Sequence, residues 1–298
     1  MSSDGYTLGV DIGGTNIRLG LVSLGGEIKA LERYSSGEVS GDEAVLKLGA
    51  LLEDYINRNG TPEATCVGFP ATVDKGRETV LSAPNLRGFD GVPVGRELTD
   101  RFGIPVYIEK DVNLLLMGDM SKLKLTASDV VACYIGTGIG NAIMIGGQLV
   151  TGANGVAGEL GHVPFGDCEK ICGCGNIGCA ESVCGGVYLA KLCRERFPDT
   201  EICSLFTCHG DHHLLKEYIE RLGRLIAAEV NIVDSEVLLI GGGVVEMADF
   251  PRDRLADSVL SHTRKPLPHD NLKIVYSPVG NGTNGVLGAG LYAWRKIK

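Results

Sequence analysis

The stretch Val10-Asp11-Ile12-Gly13-Gly14-Thr15-Asn16 decides the fold of this 298-residue chain. It lies between two β-rich runs, Tyr6 to Asp11 and Asn16 to Val22, and a Gly-Gly pair in that position is typical of a hairpin. The same residues also suit a phosphate-binding loop. Glycines let backbone N–H groups approach ATP oxygens, Thr15 adds a hydroxyl, and Asp11 orients a Mg2+ shell. The alternative is a plain β-turn with a solvated aspartate.

The second half of the chain repeats this arrangement. Val130 to Ile135 reads as a strand, Gly136-Thr137-Gly138-Ile139-Gly140 as a turn, and Asn141 to Ile145 as a returning strand. One glycine-rich turn is weak support, but two that each follow a strand indicate one supersecondary unit used twice. Two such lobes facing one another would place two phosphate-binding turns across a single cleft.

These patterns predict an α/β chain of two lobes. Residues 1–120 form the smaller lobe and 121–298 the larger one, with a hinge near Asp119–Ser128. We predict helices over Glu181–Arg196 and His213–Val233, and a C-terminal helix from about Gly285 that packs back on the first lobe.

Composition excludes several classes of protein. A formal charge of -9 opposes non-specific nucleic-acid binding. No apolar run approaches the roughly 20 residues of a membrane span, and Met1 to Tyr6 does not resemble a signal peptide. We therefore expect a cytoplasmic protein with reduced cysteines and an unused Asn281-Gly282-Thr283 sequon.

Two common nucleotide motifs do not apply. The sequence has no G-x-x-x-x-G-K-[ST] loop. A G-x-G-x-x-G match at Gly173, Gly175 and Gly178 lies among cysteines with no strand before it, so the dinucleotide interpretation fails on context.

His162, Cys172, Cys174 and Cys179 are the strongest local signal. One imidazole and three thiolates form a tetrahedral ligand set suited to Zn2+, and a filled set indicates a structural ion. Cys168 and Cys184 are further candidates. The alternative is a set of buried, reduced side chains.

Three carboxylates are candidates for the remaining chemistry. Asp111 comes between a predicted strand and a predicted helix, where the carboxyl end of the strand would face the cleft, and Glu159 and Glu181 flank the cysteine-rich segment. Phosphoryl transfer needs a carboxylate near the acceptor hydroxyl, although each of the three could instead be a surface or capping residue.

Together these residues resemble the ROK family of bacterial sugar kinases, whose fold is ribonuclease-H-like, as in actin and hexokinase. The matching segments are Asp11 to Thr15, Ala83-Pro84-Asn85-Leu86, Lys110-Asp111-Val112-Asn113, Gly136 to Gly140, Gly158-Glu159-Leu160-Gly161-His162, Cys172 to Glu181, and Gly241-Gly242-Gly243-Val244. The resemblance implies ATP, Mg2+ and structural Zn2+ as cofactors, and a homodimer. It implies that Asp111 is the catalytic base and that the adenosine segment contains Gly241, Gly242 and Gly243. The implied sugar ligands are Asn85, Asn113, Glu159, His162 and Glu181.

Substrate choice rests on a finer resemblance. Gly68-Phe69-Pro70-Ala71, Lys110 to Asn113 and Lys265-Pro266-Leu267-Pro268-His269 look like the D-allose kinase branch, which implies phosphorylation of the 6-hydroxyl of D-allose. Glucokinase, fructokinase and N-acylmannosamine kinase activities remain alternatives. Lys110 and Ala71 depart from the Asn and Gly that are frequent in the family, and both could alter the sugar pocket.

A non-catalytic role is the competing class. The family also contains sugar-responsive repressors with an added N-terminal DNA-binding domain, and we expect no such domain because Asp11 lies so near the first residue. A sugar sensor without catalysis is disfavoured by the two phosphate turns and Asp111.

Overall fold

The computed structural model describes residues 5–166, 169–279 and 282–298. It divides into two compact units. Unit 1 contains residues 1–126, 151–157 and 280–298, and unit 2 contains 127–150 and 158–279. Residues 151–157 belong to unit 1 although they follow residue 126 in the chain, which no local pattern of the sequence indicates.

Unit 1 combines strands and helices around one apolar core. Its strands are β1 (Tyr6–Ile12), β2 (Asn16–Ser23), β3 (Ile28–Ser35), β4 (Thr65–Phe69), β5 (Thr72–Val73), β6 (Val80–Ser82) and β7 (Val106–Lys110). Its helices are α1 (Ala44–Asn59), α2 (Val94–Phe102), α3 (Asp111–Leu123) and α9 (Asn284–Ile297).

The main sheet of unit 1 has the strand order β3-β2-β1-β4-β7. Strands β1 and β2 are antiparallel, whereas β1, β4 and β7 are parallel, so the carboxyl ends of these three strands lie at one edge of the sheet. Asp11 is paired with Gly68 in this register, and Gly68 is paired with Glu109. The register therefore brings the end of β1 close to the start of α3.

Helix α9 packs closely on other parts of unit 1 because glycines leave room for it. A Cβ on Gly118 of α3 would overlap the carbonyl of Asn284, and a Cβ on Gly288 of α9 would overlap the carbonyl of Leu114. A Cβ on Gly9 would likewise overlap the carbonyl of Val286, so α9 also lies directly against β1.

Unit 2 has its own core, to which helix α7 contributes the longest buried face. Its strands are β8 (Val130–Ile135), β9 (Ile139–Ile145), β10 (Gln148–Leu149), β11 (Val237–Gly241) and β12 (Lys273–Tyr276). Its helices are α4 (Glu181–Cys184), α5 (Gly186–Arg196), α6 (Leu205–His209), α7 (His213–Val233) and α8 (Arg252–His262).

The sheet of unit 2 has the order β10-β9-β8-β11-β12. Two antiparallel neighbours on one side and two parallel neighbours on the other repeat the main sheet of unit 1 strand for strand. The predicted duplication of a strand, a glycine-rich turn and a returning strand is therefore confirmed.

The predicted helix over Glu181–Arg196 is wrong in one respect, because it is two helices. Gly185 has extended backbone angles that end α4. The N–H groups of Gly186 and Val187 then donate to the carbonyls of Gly136 and Thr137, each at 2.9 Å. The break thus fixes the start of α5 against the second glycine-rich turn.

Among the described residues, no helix combines the length and apolar character that a membrane span requires.

Candidate active site

The first glycine-rich turn lies at the end of β1 in unit 1. The Gly13 N–H donates to the carbonyl of Asn16 at 2.8 Å. Ser36 also binds the turn: its Oγ donates to the Gly13 carbonyl at 2.6 Å, and its N–H donates to the Thr15 carbonyl at 3.0 Å. Asp11 lies directly across the hairpin from Arg18, whose Nη1 is 3.3 Å from Asp11 Oδ2. Burial nevertheless dominates, and it raises the pKa of Asp11 against the influence of Arg18.

Three glycines at the predicted ATP segments have open space where a side chain would lie. Gly14, Gly136 and Gly243 do not have left-handed φ angles, and a Cβ on any of them would meet no atom within 4 Å. Neither backbone strain nor close packing therefore explains a glycine there. Open space over exposed backbone is what an approaching phosphate or ribose requires.

Asp111 begins α3 immediately after β7, and its Oδ1 accepts the Val112 N–H at 2.8 Å. Burial raises the pKa of Asp111 to about 7, and the negative charge of Asp11 adds to the shift. A carboxylate with a pKa near neutrality is suited to accept a proton and later release it. The two aspartates together also offer the oxygen ligands that Mg2+ prefers.

Asn113, one turn into α3, is held by a buried polar network. Its Nδ2 donates to Glu109 Oε1 at 2.9 Å, and Glu109 Oε2 lies 3.1 Å from Arg77 Nε. One N–H of the Asn113 amide is used in this bond, and its carbonyl oxygen is the group that could accept a hydrogen bond from a ligand.

Residues 151–157 are bound to unit 1 by two buried cations. Arg77 Nη1 donates to the carbonyl of Gly155 and Lys110 Nζ to that of Ala157, each at 3.2 Å. Lys110, where the family frequently has Asn, thus contacts the backbone just ahead of Glu159 in the chain. Asn85 is exposed at a turn that is closed by a 2.9 Å bond from the Leu86 N–H to the Ala83 carbonyl.

The second glycine-rich turn and the adenosine segment lie together in unit 2. Gly241 ends β11 beside Tyr134 of β8, and the Val244 N–H donates to the Ile135 carbonyl at 2.9 Å. Gly242 has a left-handed φ of 96° and lies so close to Ile135 that a Cβ would overlap its backbone. The fold therefore requires glycine here.

The four predicted metal ligands converge in unit 2. His162 Nδ1 and the three sulfurs lie within 4.8 Å of one another. Cys172 Sγ is 3.5 Å from His162 Nδ1, and Cys174 Sγ is 3.6 Å from Cys179 Sγ. Tetrahedral ligands about 2.3 Å from a zinc ion would be separated by about 3.8 Å, so the spacing fits Zn2+ and is far from that of a disulfide.

The other predicted residues of this segment have different positions. Glu159 Oε2 lies 3.8 Å from His162 Nε2, the ring nitrogen that does not face the sulfurs. Glu181 Oε2 accepts the Ile139 N–H at 2.9 Å, at the second glycine-rich turn. Cys184 is fully buried and is not part of the metal-ligand group, whereas Cys168 lies outside the described residues.

Residues 7–296 match the model of the ROK family. The chain belongs to the ROK family.

Members of the ROK family with different names are similar to this chain. The glucokinase of Thermotoga maritima is 27% identical, with 95% of each chain aligned. The xylose repressor of Caldicellulosiruptor bescii is 33% identical over 80% of this chain and 65% of the repressor. Among solved structures, a ROK glucokinase from Streptomyces griseus in complex with glucose and AMPPNP has a TM-score of 0.81 at 26% identity, covering 98% of this chain and 100% of that one. The predicted hexokinase-type α/β fold is confirmed.

The contact between Gly285 and Asp11 in unit 1 could not be predicted from the sequence. Gly285, in the first turn of α9, lies so close to Asp11 that a Cβ would overlap the carboxylate. The only signal was a small residue at the start of the predicted C-terminal helix. It could not indicate contact with a residue 274 positions earlier, because that contact depends on tertiary packing.

Proposed function

We propose that the chain is an ATP-dependent sugar kinase, which transfers the γ-phosphoryl group of ATP to a hexose hydroxyl. The observation that carries the proposal is Asp111, a carboxylate with a pKa of about 7 at the end of β7, beside Asp11 of the first phosphate turn. A general base needs a carboxylate whose pKa lies near the working pH, and Asp111 combines such a pKa with a position beside Asp11.

In the proposed reaction Asp111 accepts the proton of the sugar hydroxyl as the oxygen attacks the γ-phosphorus. The bond from that phosphorus to the β,γ-bridging oxygen breaks, and ADP leaves. Bound Mg2+ supplies charge neutralisation for the phosphate oxygens, with Asp11 orienting its shell. Backbone N–H groups near Gly13, Gly14 and Thr15 in unit 1, and near Gly136, Thr137 and Gly138 in unit 2, are proposed to bind the phosphates, and Gly241–Gly243 the adenosine.

Sugar recognition is proposed for Asn85 and Asn113 in unit 1 and for Glu159, His162 and Glu181 in unit 2. Asn113 would accept a hydrogen bond from a sugar hydroxyl through its Oδ1, because its Nδ2 donates to Glu109. Zn2+ held by His162, Cys172, Cys174 and Cys179 would fix the segment between Glu159 and Glu181. The ion has a structural role in this proposal, since four protein ligands leave no open position.

We infer D-allose as the preferred acceptor, phosphorylated at its 6-hydroxyl. Support comes from the resemblance of Gly68 to Ala71, Lys110 to Asn113 and Lys265 to His269 to the D-allose kinase branch. D-Allose differs from D-glucose only at the 3-hydroxyl, so discrimination rests on one buried hydrogen-bond partner. An unsatisfied buried partner costs about 1–3 kcal/mol, or roughly 5- to 150-fold in kcat/KM.

The test is kcat/KM across D-allose, D-glucose, D-fructose, D-mannose and N-acetylmannosamine, measured by ADP release. We expect the highest value for D-allose. A higher value for another hexose would reject the D-allose inference and leave the sugar-kinase proposal intact, whereas no ADP release with any sugar would reject both.

A sugar-responsive repressor is the second candidate, because the xylose repressor above is 33% identical over its aligned part, against 27% for the glucokinase. Such a protein would bind a sugar without turnover. Calorimetric sugar binding together with a complete lack of ADP release would favour it.

A further inference from the structure

The Glu181 side chain is hydrogen-bonded to the second glycine-rich turn. A role in sugar binding alone would not require this bond. Glu181 Oε2 accepts the Ile139 N–H at 2.9 Å, immediately after Gly138. A Cβ on Gly138 would overlap that same oxygen, so glycine at this position makes room for the carboxylate. The turn and the side chain are therefore fitted to each other.

The surrounding backbone holds both partners in place. Gly161, between Glu159 and His162, packs against Ile139 and Glu181. A Cβ added to Gly161 would lie 3.1 Å from the Ile139 carbonyl oxygen and 3.5 Å from the Glu181 Cβ. On the other side of the turn, the first N–H groups of α5 bind the carbonyls of Gly136 and Thr137. Glu181 thus completes a ring of contacts around residues 136–139.

Only one oxygen of the carboxylate has a described role in this arrangement. Oε2 is bonded to the turn, which leaves Oε1 to accept a hydrogen bond from a sugar hydroxyl. A sugar bonded to Oε1 would restrict the same side chain that holds the phosphate turn. The carboxylate would therefore link sugar binding to the conformation of the turn.

We propose that Glu181 is a positioning residue for the nucleotide, which holds the second phosphate turn in its binding conformation and couples sugar binding to nucleotide binding. This inference rests on the proposed sugar-kinase function. Without the bond to Ile139 the turn samples other conformations. The apparent nucleotide affinity then falls in proportion to the fraction of molecules whose turn is in the binding conformation. Coupling of this kind is reciprocal, so sugar and nucleotide should each tighten the other by the same factor.

The test is the Kd of Mg-ADP in the absence of sugar, measured by calorimetry for the wild-type chain and for Glu181→Ala, Glu181→Gln and Glu181→Asp. We expect Ala to raise this Kd by roughly tenfold, as for loss of a hydrogen bond to a charged group. Gln keeps the length and an acceptor oxygen and should restore most of the affinity. Asp keeps the charge but is one methylene shorter and should not.

Glu159→Ala is the matched control, since Glu159 is the other proposed sugar carboxylate of this segment and its Oε2 lies 3.8 Å from His162 Nε2. It should weaken sugar binding and leave the Kd of Mg-ADP within twofold of wild type. Zinc content and thermal unfolding of each variant report whether the segment is intact. If Glu181→Ala does not fold, the comparison of Gln with Asp decides.

An unchanged Kd of Mg-ADP in folded Ala or Asp variants, with sugar binding lost, would overturn the proposal and leave Glu181 as a sugar ligand only. Equal weakening in Gln and Asp would overturn it as well. Failure of the proposed function looks different, because the wild-type chain itself would then bind no Mg-ADP.

Discussion

At the scale of single residues, the pKa of Asp111 predicts a specific pH dependence. Burial and the charge of Asp11 raise this pKa to about 7, so the side chain is protonated below neutrality and cannot accept a proton there. The ratio kcat/KM for Mg-ATP reports the form without bound nucleotide. It should fall tenfold per pH unit on the acidic side, with an apparent pKa within about one unit of 7.

The control is the residual activity of Asp111→Ala, which should lack this acidic limb. An acidic limb centred below pH 5 in the wild-type chain, or one that survives unchanged in the variant, would mean that another group titrates.

Some residue roles could be predicted from sequence and others could not. Asp11 and Asp111 follow β-rich runs, and the carboxyl ends of parallel strands share one edge, so their proximity was predictable. The bond from Ile139 to Glu181 was not, because no spacing reveals which backbone group a carboxylate 42 positions away will meet. Glu109 and Arg77 were missed for the same reason.

At the scale of elements, the cysteine-rich segment of unit 2 predicts one zinc ion per chain. Replacing Cys174 and Cys179 together by Ser removes two of four ligands and should abolish zinc binding. The segment that connects Glu159 to Glu181 would then lose its fixed shape, and KM for the sugar should rise roughly tenfold or more. Metal analysis and kinetics on protein purified without chelator measure both.

Cys203→Ser is the matched control, because this cysteine is exposed and lies outside the four-ligand group. It should retain zinc and activity. Absence of zinc from the wild-type protein, or full activity in the double variant, would contradict a structural zinc site.

The bounds of helices and strands agree with the predicted ones where the sequence has a clear periodicity. They differ where tertiary contacts determine the end of an element. Helix α7 and strand β8 have their predicted bounds, His213–Val233 and Val130–Ile135. The predicted helix over Glu181–Arg196 breaks at Gly185, since the following N–H groups bond to the second glycine-rich turn and not within a continuous helix. Residues 151–157 join unit 1 through side chains of Arg77 and Lys110, which local sequence could not show.

At the scale of the whole molecule, one sheet design appears in both units, and each copy places a glycine-rich turn after its first strand. The turns differ in what accompanies them. Unit 1 adds Asp11 and Asp111, and unit 2 adds Glu181 and the metal-ligand group.

The most direct test is phosphoryl transfer itself, followed by 31P NMR with ATP, Mg2+ and D-allose, or with the best hexose of the panel. We predict that each ATP consumed yields one ADP and one hexose 6-phosphate, and that Asp111→Ala lowers the rate by roughly 10²- to 10⁴-fold or more while sugar binding persists. Consumption of ATP with release of inorganic phosphate only, no reaction with any hexose, or a variant within a few-fold of wild type would contradict the account.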